Sequence, residues 1–190
     1  MLEVLSANRD LLTALLAVAG LLWAFGSFYW LHWRRGKIVV SAPRSYKAAS
    51  VSDRIIVDLP LVFLNTGAIP ILINNLHLHM SQASASVWLR FNATREELGA
   101  KEQSWATQML VQGGRSLATV CSFLQAQPEG ERFTFSPGVW DFALWGRLDD
   151  SAEWRVLKKF QIPIDESGAE IMNRGQFIAH DACSDGPPGT

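Results

Sequence analysis

The feature that most constrains this chain is a run of 23 residues, Leu11 to Trp33, that contains no Asp, Glu, Lys or Arg. As a helix rising about 1.5 Å per residue it is roughly 35 Å long, against a hydrocarbon core of about 30 Å. Seven Leu, one Val and two Phe lie in the run. At about −0.3 to −0.6 kcal/mol each they contribute on the order of −4 kcal/mol toward insertion. A core helix of a soluble domain is rarely apolar on every face over such a length. A cleaved signal peptide starts basic and has a shorter apolar stretch, whereas Glu3 and Asp10 accompany Arg9 here. Val40-Ser41-Ala42 resembles a cleavage site, but Pro43 follows it, and Arg34, Arg35 and Lys37 separate it from the apolar run. The sequence therefore predicts a short tail over 1–10 and a single transmembrane helix over 11–33.

Phe28, Tyr29, Trp30 and Trp33 gather at the C-terminal end of the run, where amphipathic rings suit the headgroup layer. Arg34, Arg35 and Lys37 follow at once, and Arg44 and Lys47 lie close behind, whereas Arg9 stands alone on the other side. Positive charge beside a membrane helix stays inside. Arg34, Arg35 and Lys37 thus set the expected topology: single-pass in the cell membrane, with the C-terminal domain in the cytoplasm. Within the helix, Thr13, Ala17, Gly20, Ala24 and Ser27 recur at a mean spacing near 3.5 residues and fall along one seam. Small residues let helix backbones approach closely in lipid. Self-association, or association with a partner helix, is expected there.

Beyond Gly36 the pattern changes to period two. Ile38 to Val40 reads as a short strand, and Ser41 to Ser52 as a polar connection. Ile55, Val57, Leu59, Leu61 and Phe63 alternate as on a half-buried strand. Pro60 lies within it and cannot donate to a ladder, so the strand is an edge there or is bulged. Asn65-Thr66-Gly67 supplies a turn. The next strand runs from about Ile69 to Met80. Its apolar phase slips by one residue at Asn74-Asn75, which a β-bulge would repair. Val87 to Phe91 is a further strand. Thr94 with Glu97 fits a capping box and predicts a short helix over 95–102, with Glu96-Glu97 at its start. Gln112-Gly113-Gly114-Arg115 is a hairpin signal between Trp105–Val111 and Ser116–Gln125. Trp140, Phe142 and Leu144 alternate on a strand opened by Pro137-Gly138. Asp149-Asp150-Ser151-Ala152 is a turn, and Trp154, Val156, Phe160, Ile162 and Ile164 close the domain. From Asp165 the periodicity is lost, and 165–190 is expected to be a flexible tail.

Seven or eight short strands with turns between them predict a mainly β fold, an antiparallel β-sandwich or small barrel spanning 34–164. Leu61-Val62-Phe63-Leu64-Asn65-Thr66-Gly67, and the closing pair from Pro137-Gly138-Val139-Trp140-Asp141-Phe142 to Trp154 and Ile164, resemble strands of bacterial immunoglobulin-like sandwich domains. The layout is similar to that of bacterial single-pass membrane proteins carrying such a domain behind one helix. The resemblance implies an immunoglobulin-like sandwich. The Cys–Trp–Cys core of antibody domains is absent. Fold alone implies no function.

Chemistry is sparsely marked. Residues 38–190 carry a net charge of −3, which is not the basic footprint of a nucleic-acid binder. No nucleophile elbow, zincin helix or phosphate-binding glycine loop is present. No cofactor is expected and a non-enzymatic interaction module is the leading reading, ahead of a ligand-binding domain for sugar or metal outside the cytoplasm and an enzyme with a dispersed site. His77 and His79 share one face of a strand, opposite Leu76, Leu78 and Met80. Two imidazoles so placed are candidate metal ligands, though solvent-facing histidines look the same in sequence. Cys121 and Cys183 are expected reduced in a cytoplasmic domain. Of the five tryptophans in the soluble part, most are expected in the core. Trp145 is the exception by strand phase, and is the candidate partner contact.

Overall fold

A computed structural model describes residues 2–51, 53–83, 85–98, 102, 104–128 and 132–182. Among the described residues, helix α1 (Leu2–His32) is followed by eleven strands and a second helix. The strands are β1 (Ile38–Val40), β2 (Ser45–Val51), β3 (Arg54–Asn65), β4 (Ile71–Gln82), β5 (Ala85–Arg95), β6 (Ser104–Trp105), β7 (Met109–Val111), β8 (Ser116–Ala126), β9 (Gly138–Leu148), β10 (Arg155–Ile164) and β11 (Ala179–Asp181); α2 (Glu166–Asn173) lies between β10 and β11. Within α1, Leu11–His32 is long and apolar enough to cross a membrane, and none of it is buried against the domain.

The strands form one curled antiparallel sheet in the order β10-β9-β4-β5-β8-β3-β2-β11, with β1 on β3, β6 on β5 and β7 on β4. The fold is mainly β, as expected, and curls around a single core. Its inner face carries Leu59, Leu61, Phe63, Leu76, Leu78, Met80, Leu89, Phe123, Trp140 and Leu144, all essentially inaccessible. β10 ends the sheet on one side, with β1 lying against it.

Two irregularities expected from sequence are present. The register of β4 against β9 shifts between Ile73 and Asn75, so Ile71 and Ile73 share the inner face with Leu76, Leu78 and Met80. Pro60 pairs with Val120 of β8 on one side. On the other side β1 stops at Phe63 and β2 begins at Asp58. The Val62 carbonyl accepts from Ser41 on that side. Pro60, two residues away, therefore turns its missing donor into the gap between β1 and β2, where no ladder bond is lost.

Four expectations are corrected. The stretch read as a polar connection contains β2, because Tyr46, Ala48, Ala49 and Ser50 are buried against β3 and the core. Thr94 and Arg95 belong to β5, paired with Cys121 and Val120. The extended ladder outcompetes the capping box, and no helix occupies the described part of 95–102. At Gln112–Arg115 the turn exists: Arg115 donates to Gln112 and Gly114 has φ +64°. Its flanking strands do not form a hairpin, because β7 joins β4 and β8 joins β3 and β5. The tail is structured as far as it is described. Asp165 caps α2 by accepting from Gly168 at 2.8 Å, Ala169 and Met172 are buried, and β11 pairs with β2.

The junction of α1 with the domain is tightly bonded. The Asn65 side chain is fully buried; it donates to Ile69 and Val111 and accepts from Gly67. This fixes the Asn65–Ile69 turn. The turn in turn holds the chain leaving α1: Ala68 donates to the Arg34 carbonyl, Thr66 exchanges bonds with Lys37, and the Arg34 guanidinium donates to Thr66 while lying over the Trp30 ring at 4.4 Å. Gly36 and Gly67 touch backbone to backbone, and a Cβ on either would overlap the other.

Candidate binding face on the outer sheet

Strand alternation sends every second residue of β4, β5, β9 and β10 away from the core. Register then sets these outward residues in rows. Trp88, His79, Ala143 and Lys159 form one row; Arg90, His77, Trp145 and Val156 form the next; Ser86, Ser81, Asp141 and Gln161 form a third. His77 and His79 do share an outward face, with Leu76, Leu78 and Met80 inward, as the alternation requires.

The middle of this face is aromatic. The His77 ring lies 4.4 Å from Trp154 and 6.4 Å from Trp88; His79 lies 4.6 Å from Trp88, and Trp88 lies 5.7 Å from Trp145. Trp88 and Trp154 remain 45% and 36% exposed. Trp145 lies on the outer face as expected, but half-buried under its neighbours, with its indole N–H out of reach of water and without a partner. His79 Nε2 meets Ser86 Oγ at 2.8 Å. Burial, and secondarily the Arg90 charge, hold His77 below the ordinary imidazole range.

Beside the rings lies a groove of about 430 Å³ lined by His79, Ser81, Asp141, Ala143, Lys159 and Gln161 among others. The small Ala143 leaves room between its neighbours in the row, His79 and Lys159, and Gln161 donates to Asp141 at 2.8 Å. The face thus combines flat apolar rings with a carboxylate, an ammonium, an amide and a hydroxyl. Such a set can stack and hydrogen-bond, as partner-binding surfaces do.

A second polar cluster lies on β2, β3, β5 and β8. Asp58 is fully buried and ion-paired with Arg95. Burial raises its carboxyl above the usual range, while the Ser122 hydroxyl and the Arg95 and Lys47 charges pull the other way. The Arg95 guanidinium and the Ser122 hydroxyl hold Asp58 inside the sheet, so this is a structural cluster rather than an open site. Cys121 is buried and free, and burial raises its thiol far above the usual range. Cys183 lies outside the described residues. Among the described residues no three His, Cys, Asp or Glu side chains come together as metal ligands.

Of the residues expected to set topology, Arg35 and Lys37 are exposed, whereas Arg34 is half-buried in the junction. Along α1, Thr13, Ala17, Gly20 and Ala24 are exposed and Ser27 is half-buried. Ser27 also borders a shallow apolar notch of about 520 Å³ at Gly26, between Trp23 and Trp30.

The expectation that most tryptophans are core is corrected: Trp140 is fully buried, whereas Trp88, Trp105 and Trp154 are exposed. Sequence reasoning singled out Trp145 but missed Trp88 and Trp154. The β4–β5 hairpin register, which sets Trp88 opposite His79, carries the signal that would have found Trp88.

The chain matches no family model and no curated protein. Among solved structures it is similar to the ApaA protein from Bordetella pertussis, at a TM-score of 0.38 and 10% identity over 70% of this chain and 98% of that one. A protein from Archaeoglobus fulgidus gives 0.40 and 10%, covering 64% of this chain and 91% of that one. The β-glucosidase EmGH1 from Erythrobacter marinus gives 0.32 and 17%, covering 67% of this chain and 15% of that one. Likeness at this level carries no inference about substrate or partner.

Proposed function

We propose that the chain is a membrane-anchored, non-enzymatic interaction module, an immunoglobulin-like sandwich held by α1 at the cytoplasmic face of a bacterial inner membrane. Its docking surface for a protein partner is the outward face of β4, β5 and β9. The observation that carries this reading is the cluster of Trp88, Trp145 and Trp154 with His77 and His79 on a solvent-facing sheet. Large exposed aromatic patches mark interaction sites, and tryptophan is enriched among the residues that dominate binding energy. The small-residue seam Thr13, Ala17, Gly20, Ala24 and Ser27, exposed except at half-buried Ser27, supports pairing of the helix with itself or with a partner helix.

Affinity capture on the detergent-solubilised full chain tests the docking surface. A specific partner should be retained by the parent and lost with Trp88→Ala combined with Trp154→Ala. Equal recovery by both chains would remove the aromatic face from the function. A periplasm-activated phosphatase fused after Thr190 should be inactive; high activity would reverse the topology.

The groove beside the rings supports a second reading, a sugar-binding domain outside the cytoplasm. Asp141, Gln161, Lys159 and Ser81 supply hydroxyl partners beside Trp88 and His79. High phosphatase activity together with glycan binding that is lost in Asp141→Ala would favour this reading over the first.

A further inference from the structure

We propose that the end of the domain nearest α1 is itself seated in the phospholipid headgroup layer, with Ile69, Leu110 and Leu64 entering the interface and Arg35, Lys37 and Arg115 contacting lipid phosphates. The inference rests on the reading that α1 spans a bilayer, and it holds whichever side the domain occupies.

The junction fixes the distance. Only five residues separate the end of α1 at His32 from the start of β1 at Ile38. That segment is hydrogen-bonded at Arg34 and Lys37 to the Thr66–Ala68 turn. The turn therefore lies where the helix leaves the hydrocarbon. Gly113 packs against the Ala68 backbone, and Asn65 donates to the Arg115 carbonyl, so the β7–β8 turn lies at the same level. The headgroup region is roughly 5–8 Å deep on each side. Two or three residues of extended chain cover that depth at about 3.3 Å each.

The residues within that reach are not those of a water-facing rim. Ile69 is 38% exposed, Leu64 42% and Leu110 51%. Leu64 adjoins Asn65, and Leu110 pairs with Leu72 two residues from the β7–β8 turn. Exposed Arg35 and Lys37 lie in the segment bonded to the Thr66–Ala68 turn, and exposed Arg115 lies in the β7–β8 turn. Apolar side chains among basic ones are the composition of interfacial membrane contacts. The acidic turn at Asp149 lies on the other side of β4, bonded to Leu72. The end of the domain therefore has a basic side and an acidic side, and the proposal commits to the basic one. The domain would then be held at a fixed tilt rather than swinging on a tether.

Spin labels on the full chain in nanodiscs of mixed phosphatidylcholine and phosphatidylglycerol test this. In a Cys183→Ser background, with Cys121 buried, a nitroxide is placed at Leu110→Cys, Ile69→Cys, Leu16→Cys in α1, or Val139→Cys at the opposite end of β9. Collision with a water-soluble nickel chelate should be several-fold lower at Leu110 and Ile69 than at Val139, and lowest at Leu16. Nickel accessibility at Leu110 and Ile69 equal to that at Val139, with Leu16 still shielded, would overturn the seated end while leaving the anchor intact. Free accessibility at Leu16 would overturn the membrane-spanning reading itself.

Discussion

Strand β9 carries tryptophan on both its faces, and the two faces use it differently. Trp140 points inward, is fully buried, and donates its indole N–H to the Ser136 carbonyl at 2.9 Å. Phe133 and Phe135 close around it at 5.7 and 5.9 Å. Trp145 points outward into a cluster that stays open: Trp88 beside it and Trp154 against His77 keep a third or more of their surface in water. The inner cluster satisfies every demand of the indole within the domain. The outer one leaves apolar ring area in water, while the Trp145 N–H stays enclosed and unpaired.

The sharpest way to break this contrast is truncation. Trp140→Ala should cost roughly 3–5 kcal/mol, as a core truncation that also leaves the Ser136 carbonyl without its donor. Trp145→Ala should cost less, about 1–2 kcal/mol, because the ring is half-buried rather than free in solvent. Thermal melts of the two variants beside the parent check the ranking, and equal shifts would show that the outer stack is core-like. Trp88→Ala should change stability by less than about 0.5 kcal/mol while abolishing partner capture. A melting shift as large as that of Trp145→Ala would make its exposed ring a structural element.

The smallest effect is a pH dependence. His77 is held below the ordinary imidazole range by burial and by Arg90. The unfolded chain therefore takes up a proton before the folded domain does. The resulting stability is present above the ordinary imidazole range, near pH 6.5, and is lost as pH falls through the folded value. The parent should lose melting temperature between about pH 7.5 and pH 5.5, and His77→Gln should lose less. An identical loss in both chains would place the titrating group elsewhere.

How much of this was legible from sequence depended on the range of the contacts involved. The slip at Asn74-Asn75, the gap at Pro60, the inward set of β4 and the turn at Asn65-Thr66-Gly67 are local patterns, and each sits where the alternation put it. The partners of β7 and β8 were not legible. Gly113-Gly114 specifies that the chain turns, but the strands it separates are claimed by β4, β3 and β5. β2 and α2 were missed because Ala48, Ala49, Ser50, Gly168 and Ala169 are small or weakly apolar and give little periodic signal, although packing buries them. The candidate face was half legible. Phase put His77, His79 and Trp145 outward, but only tertiary register and the return of the β9–β10 turn add Trp88 and Trp154.

β10 ends the sheet, and its composition gains weight if α1 holds the chain in a bilayer, as proposed. Confinement to a bilayer raises the effective concentration of domains around one another, as tethering does. A strand edge without a ladder partner, only partly covered by β1 here, is then a hazard, because identical edges can add to one another. β10 carries Lys158 and Lys159 side by side and Pro163 near its end. The lysines repel a second copy, and the proline denies it a donor. Crowding at a membrane, which would favour edge-to-edge polymerisation, is thereby turned away from β10.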